Sequence, residues 1–377
     1  MARTLRSDKL LFWSTLFLVG GSLIMIYSAS AVQMTTAGFG ASYRLLRQAV
    51  WAVLGVPVLL VLMRVDYRQW RRPAVIWTLL AITFAALVAT FFAPTRSNTQ
   101  RWLTFGGFSV QPSELAKLTA VIFAAALLER RMHRLHDVHY ALVPILVVTL
   151  GLAGLIVLEP DFGTATMIVI VVGSVVYAAG LSHRHLAIGL AILIPTAIAI
   201  IFAAGYRSNR LMAFVDPSRD QTGANFQMTQ SLIAVGSGGM LGKGLMEGVQ
   251  KIYYVPESHN DFIFAVIGEE LGLVGCTIVL VCFVVIAWRG YRTAVLAPDR
   301  FGSLLALGLT GMVGWQALVN MSVILGMLPT KGIPLPFVSD GGSSLVANLV
   351  AMGVLLNISQ QASGGPLRAT TGGPAHA

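Results

Sequence analysis

Ten apolar runs of about 17 to 28 residues dominate the chain, at roughly 10–31, 45–63, 74–92, 113–128, 140–158, 162–180, 186–204, 261–288, 302–328 and 338–359. An α-helix rises ~1.5 Å per residue, so runs of this length cross the ~30 Å hydrocarbon layer of a bilayer and satisfy their own backbone hydrogen bonds. The pattern predicts an all-α polytopic membrane protein. Its expected form is a bundle of ten transmembrane helices in one domain over residues 1–360, with a disordered cytoplasmic tail over 361–377. Composition points the same way: 56% of residues are hydrophobic and 11% charged, and mean hydropathy is +0.75. The fourth run is marginal because it carries Glu114 and Lys117. The first run, preceded by Arg3, Arg6 and Lys9, imitates a signal peptide, but its length marks a retained first helix.

A net charge of +10 would suit nucleic acid, yet the basic residues fall in short clusters between apolar runs, where they set topology. No nucleic-acid partner is expected. Arg64, Arg68, Arg71 and Arg72, then Arg130, Arg131 and Arg134, then Arg184, then Arg289, Arg292 and Arg300 all occupy connections on the side of the N-terminus. The positive-inside rule makes that side cytoplasmic, together with both termini. The segment 205–260, between the seventh and eighth helices, is then a large extracytoplasmic loop. Cys276 and Cys282 read as membrane packing residues, not metal ligands.

At the end of that loop, Ser258-His259-Asn260-Asp261-Phe262-Ile263 turns from polar chain into apolar helix, holding a carboxylate where water meets hydrocarbon. Such a group is costly to keep there. Ser258-x-x-Asp261 also fits a helix-capping box, the simpler use of the same residues. Further back, Gly236-Ser237-Gly238-Gly239-Met240-Leu241-Gly242-Lys243-Gly244 misses the P-loop spacing and faces away from cytoplasmic ATP. Its N–H groups, with Arg207, Arg210 and Lys243, suit a diphosphate held by a backbone nest and point charges. Lys251 fits that role and contact with anionic headgroups equally. The loop has little helix signal beyond short amphipathic pieces and reads as a structured lid over a cavity.

Other ionisable residues lie in or beside the apolar runs. Glu114 and Lys117, at i and i+3, can neutralise each other as a structural ion pair. Asp161 is placed to cap the sixth helix after the Glu159-Pro160 turn. Glu269 and Glu270 need buried partners, and Gly268-x-x-x-Gly272 permits close approach of a neighbouring helix. Arg44, at the start of the second helix, reads as snorkelling to the interface.

Several of these words together resemble the signatures of the SEDS family (shape, elongation, division and sporulation), the FtsW and RodA proteins. They are Pro256-Glu257-Ser258-His259-Asn260-Asp261-Phe262-Ile263-Phe264 with Gly268-Glu269-Glu270-Leu271-Gly272, Gln111-Pro112-Ser113-Glu114-x-x-Lys117, Glu159-Pro160-Asp161-Phe162-Gly163 and Ser339-Asp340-Gly341-Gly342-Ser343. Two positions depart from the pattern: Asp340 stands where Tyr is usual, and Asn260 where Thr is usual. Asp340 has no explanation at this level.

The resemblance implies a peptidoglycan glycosyltransferase that polymerises lipid II into β-1,4 glycan strands with inversion, on the outer face of the bacterial cytoplasmic (inner) membrane. Asp261 is then the base that takes the acceptor's proton, or alternatively a ligand to a divalent cation (Mg or Mn). Arg207, Arg210, Lys243 and Lys331 are candidates to hold the diphosphate, and His259, Ser339, Gly341 and Ser343 to line the substrate cavity. Glu114, Lys117, Glu159 and Asp161 would support it. Arg47 matches a family position facing that cavity, and reads equally well as a snorkelling arginine. Expected partners are a class B penicillin-binding protein (the crosslinking transpeptidase) and other divisome membrane proteins. Gln250-Lys251 and Leu328-Pro329-Thr330-Lys331-Gly332 are closer to the division branch, which implies septal wall synthesis. The rival readings are a lipid II flippase and a non-catalytic division scaffold.

Overall fold

The computed structural model describes residues 7–93, 100–106, 108–132, 138–203, 205–215, 224–253 and 259–362. Each apolar run is helical: α1 Lys9–Thr36, α2 Tyr43–Leu62, α3 Pro73–Thr90, α4 Pro112–Arg131, α5 Val143–Leu158, α6 Phe162–Ala178, α7 His183–Ala203, α11 Ile263–Leu296, α12 Arg300–Ile324 and α13 Gly342–Ala362. Among the described residues, eight helices are long and apolar enough to cross a membrane; α6 is a shorter apolar helix. The remaining one, α4, carries Glu114, Lys117, Glu129, Arg130 and Arg131. The protein is thus an all-α polytopic membrane protein, with one two-stranded hairpin, β1 Leu103–Phe105 against β2 Phe108–Val110.

Helix ends follow local chemistry. Asp8 caps α1 by accepting from Leu11 N at 3.2 Å, and Asp299 caps α12 by accepting from Gly302 N at 2.7 Å. Pro73 and Pro112 open α3 and α4, where a missing N–H costs no hydrogen bond. α4 lies centrally, against α3, α5, α6 and α12, while α2 runs along α13 and α11 along both α1 and α12. α7 is apolar and buries none of its residues.

The stretch 205–260 differs from the sequence expectation. Its described parts are largely helical: α8 Gly205–Val215, α9 Ala224–Ser237 and α10 Gln250–Tyr253. The glycine run does not form a phosphate nest, because its backbone groups are engaged by a break in α11. At Gly272 (φ 65°, ψ −161°) the helix leaves helical geometry, and residues 238–244 close into the gap. Lys243 N and Gly244 N donate to Glu269 O and Glu270 O at 3.0 and 3.1 Å, and Leu273 N and Val274 N donate to Gly239 O and Met240 O at 2.9 and 3.2 Å. Only glycines permit this approach: a Cβ on Gly238 would lie 2.0 Å from Gly268 O, and one on Gly272 2.3 Å from Gly242 N. The Gly268-x-x-x-Gly272 spacing therefore admits that loop at Gly272 and, at Gly268, the close helix neighbour that the sequence suggested: a Cβ there would lie 3.2 Å from Val235 Cα of α9 Ala224–Ser237.

Two opposite ends result. At one, Tyr67 Oη and Arg68 Nε donate to Asp299 Oδ2 at 2.7 and 3.0 Å, Arg71 pairs with Glu129 at 2.9 Å and Arg289 with Asp8 at 2.5 Å. Hydrogen bonds from Tyr67, Gly302 and Arg68 overcome burial to hold the Asp299 carboxyl below its usual range. The basic connections thus gather on one side, with the first residues of α1 and the last of α13. The tail from 363 onward lies outside the described residues.

Candidate active site

The opposite end holds a cavity of about 860 Å³, walled by the starts of α2 and α6, the hairpin, the helix α8, and the turns before α11 and α13. Five basic side chains line it (Arg44, Arg47, Arg101, Arg210 and Lys331) with three acidic ones (Asp161, Asp261 and Asp340) and His259. Their helical registers explain the gathering. Arg47 stands one turn into α2, and Arg210 projects from α8, whose start continues the chain from α7.

Asp261 sits at the cavity wall one residue before Phe262, the N-cap of α11. The capping-box expectation, which puts Asp261 in the first turn of the helix, is corrected here, since α11 starts only at Ile263 with Phe262 as its N-cap; Ser258 lies outside the described residues. The loop under Asp261 is fixed from behind. Asn320 Nδ2 of α12 donates to Asp261 O at 2.8 Å and to Ile333 O at 2.7 Å, joining two cavity segments. Gly332 lies against it: a Cβ there would come within 2.9 Å of Asp261 Oδ2.

Lys331 Nζ lies 5.3 Å from the centre of the Phe162 ring, a cation–π contact. Burial lowers its pKa. Asp161 caps α6, accepting from Thr164 N at 3.1 Å and Gln111 Nε2 at 3.1 Å, as the sequence suggested, and it also faces the cavity. Glu159 is buried behind it, accepting from Thr90 Oγ1 at 2.7 Å, while Arg101 donates to Glu159 O at 2.9 Å and to Pro160 O. Burial, more than the nearby Asp161, pushes the Glu159 carboxyl up to about 7.

Several expected site residues are placed otherwise. Lys243 pairs with the fully buried Glu269 at 2.8 Å and does not line the cavity. Lys251 is buried against Glu270 and Ser28, so both headgroup and phosphate roles are excluded for it. Ser339 is turned inward, donating to Asn260 O at 2.6 Å and accepting from Leu335 N at 2.8 Å. Ser343 accepts from Gln111 N at 3.2 Å. These hydroxyls brace the wall; among the three expected small residues only Gly341 lines it. Glu114 and Lys117 form the expected buried ion pair at 2.9 Å, with Lys117 also donating to Gln316 at 2.6 Å, but they sit behind the cavity and do not line it. Arg207 falls within α8, and its side chain lies outside the described residues.

Arg44, read as snorkelling, instead binds Asp340 at 2.7 Å across the cavity wall. Arg101 and Trp102 also line it. Their signal was the Arg-Trp pair beside a Gly- and Pro-rich interfacial segment. No three His, Cys, Asp or Glu side chains converge as metal ligands among the described residues.

The FTSW_RODA_SPOVE family model, described as cell cycle protein, matches residues 9–364. A Geobacter metallireducens protein named probable peptidoglycan glycosyltransferase FtsW is 38% identical over 366 residues, 96% of each chain. Stage V sporulation protein E of Bacillus subtilis is 38% identical over 358 residues, 94% of this chain and 97% of that one. Among solved structures, a chain of a peptidoglycan synthase complex that coordinates polymerization and crosslinking superposes with a TM-score of 0.76. It is 31% identical and covers 95% of this chain and 99% of its own. The Thermus thermophilus rod shape determining protein RodA gives 0.68 at 28% identity, covering 94% and 97%.

Proposed function

This chain belongs to the FtsW/RodA/SpoVE family of cell cycle proteins, and on that premise we propose that it is a peptidoglycan glycosyltransferase, of the FtsW division branch, using Asp261 as its base. The supporting observation is the juxtaposition in one cavity of the Asp261 carboxylate with Arg47, Arg210 and Lys331. Polymerisation of lipid II needs those two chemistries together. A carboxylate takes the proton from the 4-hydroxyl of the acceptor sugar; the freed oxygen attacks the anomeric carbon of the donor; the bond from that carbon to the diphosphate breaks with inversion. The negative charge growing on the departing polyprenyl diphosphate is met by the basic wall. Proton transfer of this kind contributes roughly 10²- to 10⁴-fold.

His259, Gly341 and the hairpin complete the sugar side of the cavity. A divalent cation arriving on the diphosphate would draw on one or two carboxylates at most. The protein works from the outer face of the cytoplasmic membrane, with the basic end inside, at the division septum. Its partner is a class B penicillin-binding protein, which crosslinks the strands.

Purified protein with that partner and labelled lipid II is expected to make glycan polymer, and Asp261→Asn to make none while keeping its melting temperature. Polymer formed equally by the variant removes Asp261 from the chemistry. Lipid II translocation without polymer by the unaltered chain would favour the flippase.

A further inference from the structure

Asp340 has a partner that its sequence context did not disclose. Its Oδ2 accepts from Arg44 Nη1 at 2.7 Å, and the two side chains are 10% and 26% exposed. The pair is held in place from both sides. Arg44, Gln48, Trp51 and Gly55 form one stripe of α2 at helical spacing, and the whole stripe meets the chain around α13. Gln48 Nε2 donates to Ser339 O at 3.4 Å. The Trp51 indole lies 2.0 Å from where a Cβ on Gly342 would be, and a Cβ on Gly55 would meet Leu349 at 2.6 Å. From the other side, Asp340 N donates to His259 O at 3.1 Å, which ties the carboxylate to the segment bearing Asp261.

Arg44 is not saturated by this contact. A guanidinium carries five N–H donors; Asp340 takes one, and the buried Nε has no hydrogen-bond partner. Carboxylate and phosphate oxygens offer a guanidinium the same charge and nearly the same geometry. A cavity meant to hold a diphosphate has therefore placed a carboxylate on one of its own arginines.

We propose that Asp340 competes with the donor's diphosphate for Arg44, so that Arg44 moves between carboxylate and phosphate oxygens as the diphosphate arrives and leaves. The inference rests on the reading of the cavity as a diphosphate site and adds a device that weakens diphosphate retention there. Its use is to keep the departing polyprenyl diphosphate from occupying the site after each transfer, where product release limits turnover.

Pyrophosphate binding to the full chain in lipid nanodiscs, followed by calorimetry, tests it. Asp340→Asn is expected to bind pyrophosphate roughly five- to tenfold more tightly than the unaltered chain, Arg44→Gln to bind it more weakly, and the double variant to lose the gain. Equal or weaker affinity in Asp340→Asn at an unchanged melting temperature overturns the proposal. So does an equal gain in the Arg44→Gln background, which assigns the effect to the general field of the carboxylate. Asp340→Ser replaces the Asn variant if the latter does not fold. An unaltered chain without pyrophosphate affinity overturns the diphosphate reading of the cavity, and this inference with it; affinity in that chain with no gain on Asp340→Asn overturns this inference alone.

Discussion

At the break in α11, Glu269 and Glu270 are completely buried and each is closed by a lysine, Lys243 or Lys251; Ser28 and the backbone N–H groups of Met246, Val249 and Gln250 also donate to them. In the cavity, aspartates, arginines and Lys331 line the wall of a space of about 860 Å³. The first region closes its charges on one another away from the cavity, whereas the second, even where it pairs Arg44 with Asp340, sets them along the cavity wall. A buried ion pair adds little over an apolar pair of equal volume, but losing one partner is costly because a bare charge stays behind. A cavity charge shows the opposite behaviour: its loss leaves the fold intact and reduces binding or turnover.

The sharpest way to break this contrast is Lys251→Met, which strands Glu270 and is expected to cost ~3–5 kcal/mol of stability, with activity lost alongside the fold in thermal melts and polymerisation assays. A cavity substitution with the same signature would erase the distinction. Gly272→Ala comes next. It puts a Cβ at φ 65° and 2.3 Å from Gly242 N, and is expected to cost ~1–3 kcal/mol in strain alone, read from denaturant titration. Lys331→Met should leave the melting temperature unchanged and raise KM for lipid II about tenfold. Because burial lowers the Lys331 pKa, Lys331→Arg should keep the charge to higher pH and move the alkaline limb of kcat/KM upward.

The smallest effect concerns Glu159, which supports the cavity without being closed by a cation. Its carboxyl is raised from 4.5 to about 7, so the stability it leaves intact when protonated, below pH 4.5, is lost as the pH climbs through 7. Glu159→Gln should flatten the decline of melting temperature between those values. An unchanged slope would show that Glu159 titrates as an ordinary surface acid.

The apolar runs announced every long helix, since a span must be both apolar and about 20 residues long. Asp161 as a cap and Glu114 with Lys117 as an ion pair were equally readable, because partners three residues apart must meet on a helix. What the sequence hid depended on distant chain. The Arg44–Asp340 contact joins residues 296 positions apart, so the two were read as a snorkelling arginine and an unexplained acid. Lys243 was assigned to phosphate, and Lys251 to phosphate or headgroups alike, because the glycine-rich loop before them suits a nest. Nothing local shows that α11 breaks at Gly272 and draws that loop's N–H groups into its own gap. Ser339 and Ser343 belong to the right wall, but the side of the backbone on which their hydroxyls lie is fixed by Asn260, Leu335 and Gln111.

The break at Gly272 also divides α11 into two pieces, a short outer one that leads from Asp261 and a long one packed on α1 and α12, and residues 238–244 bond to both across the gap. A rod tilts to suit the thickness of the bilayer around it, and an unbroken helix would swing the carboxylate with every such adjustment. A glycine break gives such a tilt a place to be taken up, while the turn that carries Asp261 is held by Asn320 of α12.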